Sequence, residues 1–278
     1  MKRVIVSLLV IALLTELWIV KIVSYNQTKR LAINTIKEIE FRDQEVGEEM
    51  LSYIINVENP SHYIGLYLLE SKFGYQKFPY PLKEQSFAKL ENKWKKQEEW
   101  DTYVKFMNAI WNDLKYFPIP ESTTDTKMKV SYVNSWMSER TYGGQRGHEG
   151  TDIMPTQNIS GIYPIVSMTD GIVRSKGWLE KGGYRIGVEA PSGAYFYYAH
   201  LDSYASLEIG DTVDAGDLLG FMGDTGYGDE GTTGKFPVHL HVGVYIYPDQ
   251  ETSINPYWLL RYLENRRIKC SYSSGDIG

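Results

Sequence analysis

From residue 127 onward the chain is written in short apolar runs broken by Gly, Pro and Asp, and this punctuation leaves little freedom of fold. "YPIVSMTDGIVRSKGW", "YRIGVEAPSGAYFYYAHL", "GDTVDAGDLLGFMG" and "VHLHVGVYI" combine β-branched and aromatic residues with turn residues, so they read as strands of an antiparallel sheet. "APSG", between two such runs, marks a hairpin turn. "NPYWLLRYLENRR" reads as a closing helix, with Asn255 as N-cap and Pro256 at the first helical position.

Residues 31–116 follow a different period. Val46, Met50, Leu51, Ile54 and Ile55 share one helical face, as do Tyr103, Met107, Ile110, Trp111 and Leu114. "KLENKWKKQEEW" between them is a charged, solvated helix surface, and "ENPSHY" and "FPYPL" are turns separating helices. "YFPIPESTTDT", residues 116–126, stops the helical pattern with two prolines and is expected to be an exposed link. At the N-terminus "MKR" precedes an apolar stretch over residues 4–20, interrupted only by Ser7, Thr15 and Glu16. That is long for a cleavable signal, and no A-x-A-like site follows it. The expected organisation is a signal-anchor transmembrane helix over 1–24, a helical extracytoplasmic module over 25–120 and a β domain over 126–265. The protein would then be a single-pass cell-membrane protein with its β domain outside the cytoplasm.

Charge and cysteine content narrow the chemistry. A net charge of -6 argues against nucleic acid as a partner. The single cysteine, Cys270, rules out an internal disulfide and a Cys-based zinc site, so a metal here must use His and carboxylates. No G-x-S-x-G is present, and Cys270 lies in a polar tail. Four of the five histidines fall in the β half: His148, His200, His239 and His241. His62 lies in the "NPSHY" turn and reads as an exposed polar residue. A lone strand histidine is usually a half-buried residue with ordinary hydrogen bonds. Two imidazoles at period two share one strand face, however, and each needs a donor and an acceptor satisfied. A metal would meet that need. His148, Asp152 and one member of the 239/241 pair make a two-His, one-carboxylate set that leaves a position for water; spacing alone leaves open which member binds.

"GHEGTDIMP", "TDGIV", "YYAHLDSY", "IGDTVDAGDLLGFMGDTG" and "TTGKFPVHLHVGVY" occur in this order over residues 140–248. On these motifs the chain resembles the lysostaphin/LytM-type metallopeptidases, the M23 family, which cleave peptides in bacterial peptidoglycan. The helical half lies outside the resemblance. The resemblance implies a predominantly antiparallel β peptidase domain, which with the transmembrane helix and helical module read ahead of it makes an α+β protein. It implies one Zn2+ per chain, held by His148, Asp152 and His241. His200 and His239 correspond to the family's catalytic histidines: His239 would take the proton of the attacking water, and His200 would help hold the oxyanion. The expected function is a membrane-anchored zinc endopeptidase of wall peptide. The alternative is a non-catalytic wall- or partner-binding scaffold of division or sporulation type, and the helical module could dock a regulatory protein partner.

Lesser expectations attach to other residues. Arg146 could meet a substrate carboxylate, and Glu149 and Asp202 could orient ligating histidines. Tyr195, Tyr197 and Tyr198 could line a groove, while Gly143, Gly144, Gly147, Gly226, Gly228 and Gly231 permit tight loops around it. "YLLESKFGY" resembles the Glu-Ser stretch of lytic transglycosylases, which would make Glu70 an acid catalyst. The Gly-Leu-Met-Gln-like motif expected downstream is missing, and a helical spacer or docking module is the simpler reading.

Overall fold

In the computed structural model, which describes residues 11–19, 31–32, 34–74, 76–141 and 144–275, the β half forms one large antiparallel sheet. Its longer strands are β1 (Thr151–Pro155), β2 (Pro164–Val166), β3 (Gly171–Leu179), β4 (Gly183–Glu189), β5 (Tyr195–Tyr204), β6 (Leu218–Met222), β7 (Leu240–Ile246) and β8 (Thr252–Ile254). Through the centre the order is β3-β4-β5-β7-β1, with β6 pairing β2 and β5, and β8 pairing β7. Period-two alternation sorts the two faces. Ile186, Val188, Phe196, Tyr198, Leu240, Val242 and Val244 are buried in the core, and the residues between them form the other face. The β4–β5 hairpin turns at "APSG", where Gly193 takes φ 93° and Ala190 and Ala194 exchange a backbone hydrogen bond of 2.8 Å.

The helical half contains α1 (Ile39–Asp43), α2 (Glu48–Ile54), α3 (Pro60–Glu70), α4 (Glu84–Trp94) and α5 (Trp100–Trp111), followed much later by α6 (Tyr257–Leu263). The expected faces pack as predicted along α5, where Tyr103, Met107, Ile110 and Trp111 are all buried. At α2 the stripe is shorter: Val46 is buried ahead of the helix, while Ile55 lies past its end and is exposed. "NPSHY" is a helix start and not a turn, because Pro60, whose missing N–H costs nothing there, opens α3. His62 is therefore a half-buried helical residue lying edge-on to Tyr63 at 5.2 Å. The closing helix starts one residue later than expected: Pro256 takes the N-cap position and Tyr257 the first helical one, while Asn255 Oδ1 accepts the Tyr257 N–H at 2.9 Å.

The link over 116–126 is the clearest correction. Phe117, Pro118, Ile119 and Pro120 are buried, and Glu121–Ser122 pairs in parallel with Lys269–Cys270. The prolines stop the helix as the sequence predicts. The apolar side chains beside them then find the core, because the C-terminal segment supplies backbone partners along the whole stretch, including Arg266 O for Phe117 N at 3.0 Å. The two halves share one hydrophobic core. Arg42 donates to Ser253 O at 2.9 Å, Asn255 donates to Asp43 at 2.6 Å, and Trp111 meets Tyr262 edge-on at 6.0 Å. The buried amide of Gln44 donates to Phe41 O and accepts the Trp111 indole N–H at 2.7 Å.

Most of the expected span over 1–24 lies outside the described residues. Residues 11–19 form a helix with exposed apolar side chains, and among the described residues no helix is long and apolar enough to cross a membrane.

Candidate active site

The face of the sheet turned away from the core is the floor of a groove of about 720 Å³. In register, His241 of β7 stands between Asp152 of β1 and Ala199 of β5. His148 reaches the same place from the loop before β1, where a small antiparallel ladder of Glu139–Arg140 with Arg146–Gly147 holds it. Its own backbone bonds to Met137 N at 2.8 Å and to Ser138 O at 3.0 Å.

His148 Nε2, Asp152 Oδ1 and His241 Nδ1 form a triangle with each side 3.0 Å. With its Nδ1–H donated to Ser135 O at 3.1 Å, His148 turns the lone pair of Nε2 inward. Three acceptors this close repel one another unless a proton or a cation lies among them. Tetrahedral zinc with bonds of about 2.0–2.1 Å would set its ligand atoms about 3.4 Å apart, so small outward shifts convert the triangle into three corners of a zinc site. Two imidazoles and a carboxylate are also the donor set zinc prefers in catalytic sites. The residues fit the ion.

Electrostatics agree with a preformed anionic corner. Burial works to raise the Asp152 pKa, but hydrogen bonds to His148 and His241, with the charge of the neighbouring imidazoles, hold it well below the usual carboxylate range. Burial lowers the His241 pKa against the opposing pull of Asp152, which favours the neutral, ligating form. Arg140, which carried no signal in the sequence, donates to Asp152 Oδ2 at 2.6 Å and approaches His148 Nδ1 at 3.0 Å. It thereby occupies one carboxylate oxygen and leaves the other facing the histidines.

His239 and His200 lie beside this triangle with ring centroids 4.6 Å apart. His239 Nδ1 donates to Pro237 O at 2.8 Å and Nε2 lies 3.8 Å from Asp152 Oδ1. His200 Nδ1 donates to Thr225 O at 2.8 Å. Both rings therefore present a bare Nε2 to the groove. Burial, reinforced by the two neighbouring histidines, pushes the His200 pKa down to about 3. At φ 63° its backbone is left-handed, an uncommon conformation for a non-glycine residue within a strand, and Phe236 lies edge-on to its ring at 4.7 Å. With Nδ1–H bonded to Thr225 O, the neutral ring offers Nε2 to the groove as an acceptor.

Other expected residues divide. Tyr195 and Tyr197 line the groove, whereas Tyr198 is core, its hydroxyl accepting Met168 N–H at 2.9 Å. Arg146 lies at the rim and donates to the Tyr227 hydroxyl at 2.6 Å. Asp202 is exposed and accepts from Ser160 at 2.8 Å, and the Glu149 side chain is exposed; neither orients a histidine. Of the loop glycines, Gly144, Gly226 and Gly231 do adopt positive φ, and Gly143 lies outside the described residues. Glu70, far from the groove lining, accepts the Trp94 indole N–H at 2.6 Å and pairs with Lys93. Such a carboxylate is a packing partner of α4 and not a catalytic acid.

Residues 146–256 match Peptidase family M23, and residues 26–113 match the family described as LytM, N-terminal domain. The helical half, outside the M23 resemblance read from the motifs, thus matches a family of its own. An L-Ala–D-Glu endopeptidase of Bacillus subtilis (strain 168) is 41% identical over 150 residues, which cover 53% of this chain and 43% of that protein. The glycyl-glycine endopeptidase ALE-1 of Staphylococcus capitis is 31% identical over 106 residues, 35% of this chain and 28% of that one. This chain thus spans less than half the length of these curated relatives. The crystal structure of a candidate glycyl-glycine endopeptidase lytM from Ruminococcus gnavus is 59% identical, covers 86% of this chain and 95% of its own, and superposes with a TM-score of 0.82.

Proposed function

The chain belongs to peptidase family M23, and from that premise we propose that it is a zinc-dependent endopeptidase that hydrolyses peptide bonds in bacterial peptidoglycan. The observation that carries the reading is the 3.0 Å triangle of His148, Asp152 and His241 on the floor of an open groove, with two bare imidazole nitrogens beside it. Zinc at the triangle would polarise the scissile carbonyl and acidify the attacking water. His239, whose tautomer is set by Pro237 O, accepts a proton at Nε2 and then carries it to the leaving amine. His200, pinned by Thr225 O and packed against Phe236, offers the second acceptor and, once protonated, a donor toward developing negative charge. Arg140 keeps Asp152 oriented through its outer oxygen.

We place the catalytic half outside the cytoplasm, tethered to the membrane through the N-terminal segment. Support comes from the apolar sequence over 4–20 and from the helix over 11–19, where Leu13, Leu14, Leu17 and Trp18 are exposed. Membrane fractionation with protease accessibility of the intact cell tests this placement. The activity is tested by digesting purified peptidoglycan with the zinc-loaded protein and sequencing the new amino termini. Fresh amino termini are expected; their absence would overturn the enzyme reading and leave the scaffold alternative.

A further inference from the structure

Arg185 stands on the groove floor with no side-chain partner among the described residues. It lies on β4, on the same face as the groove tyrosines, and its Nη1 is buried with no hydrogen-bond partner. The other guanidinium groups of the groove are engaged: Arg140 on Asp152 and Arg146 on Tyr227. Among the described residues no carboxylate pairs with Arg185. A partly buried cation with an unsatisfied donor is costly to keep, and its natural complement is an anion delivered from the groove. Its charge acts on the hydroxyls of Tyr195, Tyr197 and Tyr204, and the residue is half-buried.

Register fixes where such an anion would lie. The β4–β5 pairing shifts between Tyr184↔Leu201 and Ile186↔Tyr198, which sets Arg185 beside residues 199–200. Ala199 pairs with His241, and His241 with Asp152. Arg185, Ala199, His241 and Asp152 therefore form a row across the sheet, and with strands about 4.8 Å apart the Arg185 backbone is about 10 Å from that of His241. The residue between them carries only a methyl group, so the floor stays open. An extended peptide advances about 3.3–3.6 Å per residue, so a group held by Arg185 sits within about three residues of the bond at the histidines.

We propose that Arg185 forms a carboxylate-binding subsite, and that the protein selects peptides bearing a free carboxylate within about three residues of the cleaved bond. This deepens the endopeptidase reading and rests on it. Arg185 is a specificity-determining residue here; it touches the substrate away from the reacting atoms. Tyr195, whose hydroxyl bonds to Ser175 at 2.5 Å and lies over Gly187, and Tyr197, whose hydroxyl lies over Gly182, wall the subsite.

The test uses matched wall peptides that differ only in a free carboxylate or a carboxamide beside the cleaved bond. For zinc-loaded wild-type protein the carboxylate form should be favoured about tenfold or more in kcat/KM, chiefly through KM, as expected for a hydrogen bond to a charged group. Arg185→Gln should bring the ratio to about one, and Arg185→Lys should retain part of it. Metal-free protein should show the same preference in calorimetric binding, a readout that needs no turnover. Cleavage of both peptides with no preference overturns this proposal and leaves the endopeptidase reading intact. A binding preference that Arg185→Gln abolishes, without any cleavage, overturns the endopeptidase reading and leaves the subsite. A preference that survives Arg185→Gln overturns the assignment to Arg185.

Discussion

Gly150→Ala should separate the metal site from the fold with a single methyl group. Gly150 lies between His148 and Asp152, at the foot of β1, and it does not occupy the left-handed region, so no backbone strain is involved. A Cβ there would fall 2.4 Å from His241 Cε1, 2.6 Å from its Nε2 and 2.5 Å from Val242 O. Carbon contacts relax at about 3.5–4.0 Å, so the imidazole or its strand must retreat by about 1 Å. Metal bonds tolerate about 0.2 Å, so His241 would no longer close the triangle. Zinc affinity should fall about 10–100-fold, the range seen when a ligand loses its support, and overpacking should cost about 1–3 kcal/mol of stability. Competition with a chromophoric chelator measures the first quantity and calorimetric unfolding the second. Gly193→Ala is the control: its φ of 93° makes alanine cost about 1–2 kcal/mol, but nothing lies within 4 Å of the new Cβ, so zinc affinity should hold. A Gly150→Ala protein that binds zinc and cleaves like the wild type would refute the argument that His241 is wedged in place by its glycine neighbour.

Replacing the paired histidines should give opposite phenotypes: His241→Ala loses stoichiometric zinc by metal analysis, while His239→Ala keeps zinc and loses peptidoglycan cleavage. Gln44→Ala strips the buried Trp111 indole of its acceptor, costing about 1–3 kcal/mol, and because the core is shared the loss should appear in one unfolding transition for both halves. In the metal-free protein, stability conferred by neutral His200 is complete above the unfolded histidine value of about 6.5 and is lost as pH falls toward about 3, since the unfolded chain binds the proton first. The unfolding midpoint should therefore drop between pH 7 and pH 5, and the drop should shrink in His200→Gln.

The peptidase half was legible because its signals are local. Period-two alternation placed His239 and His241 on one face of a strand, and the structure keeps Val238, Leu240 and Val242 on the other, buried. The order of the motifs pointed to the partners His148, Asp152 and His200. The helical half was legible as helices, from the spacing of its apolar residues, but its relationship to the rest was not. Residues 117–120 look like a linker by composition, yet they are interior, because a segment about 150 residues later offers them hydrogen bonds.

What the sequence determined by itself was the list of strands, the alternation along each and the chemistry of the histidines, all set by neighbours in the chain. What only the tertiary structure decided was which side chains meet. Arg140 reaches Asp152 through a two-residue ladder, Asp202 turns to Ser160, and Arg185 faces the groove through a bulge in the β4–β5 register. Each depends on strand pairing between distant residues, where a shift of one residue would move every side chain to the opposite face.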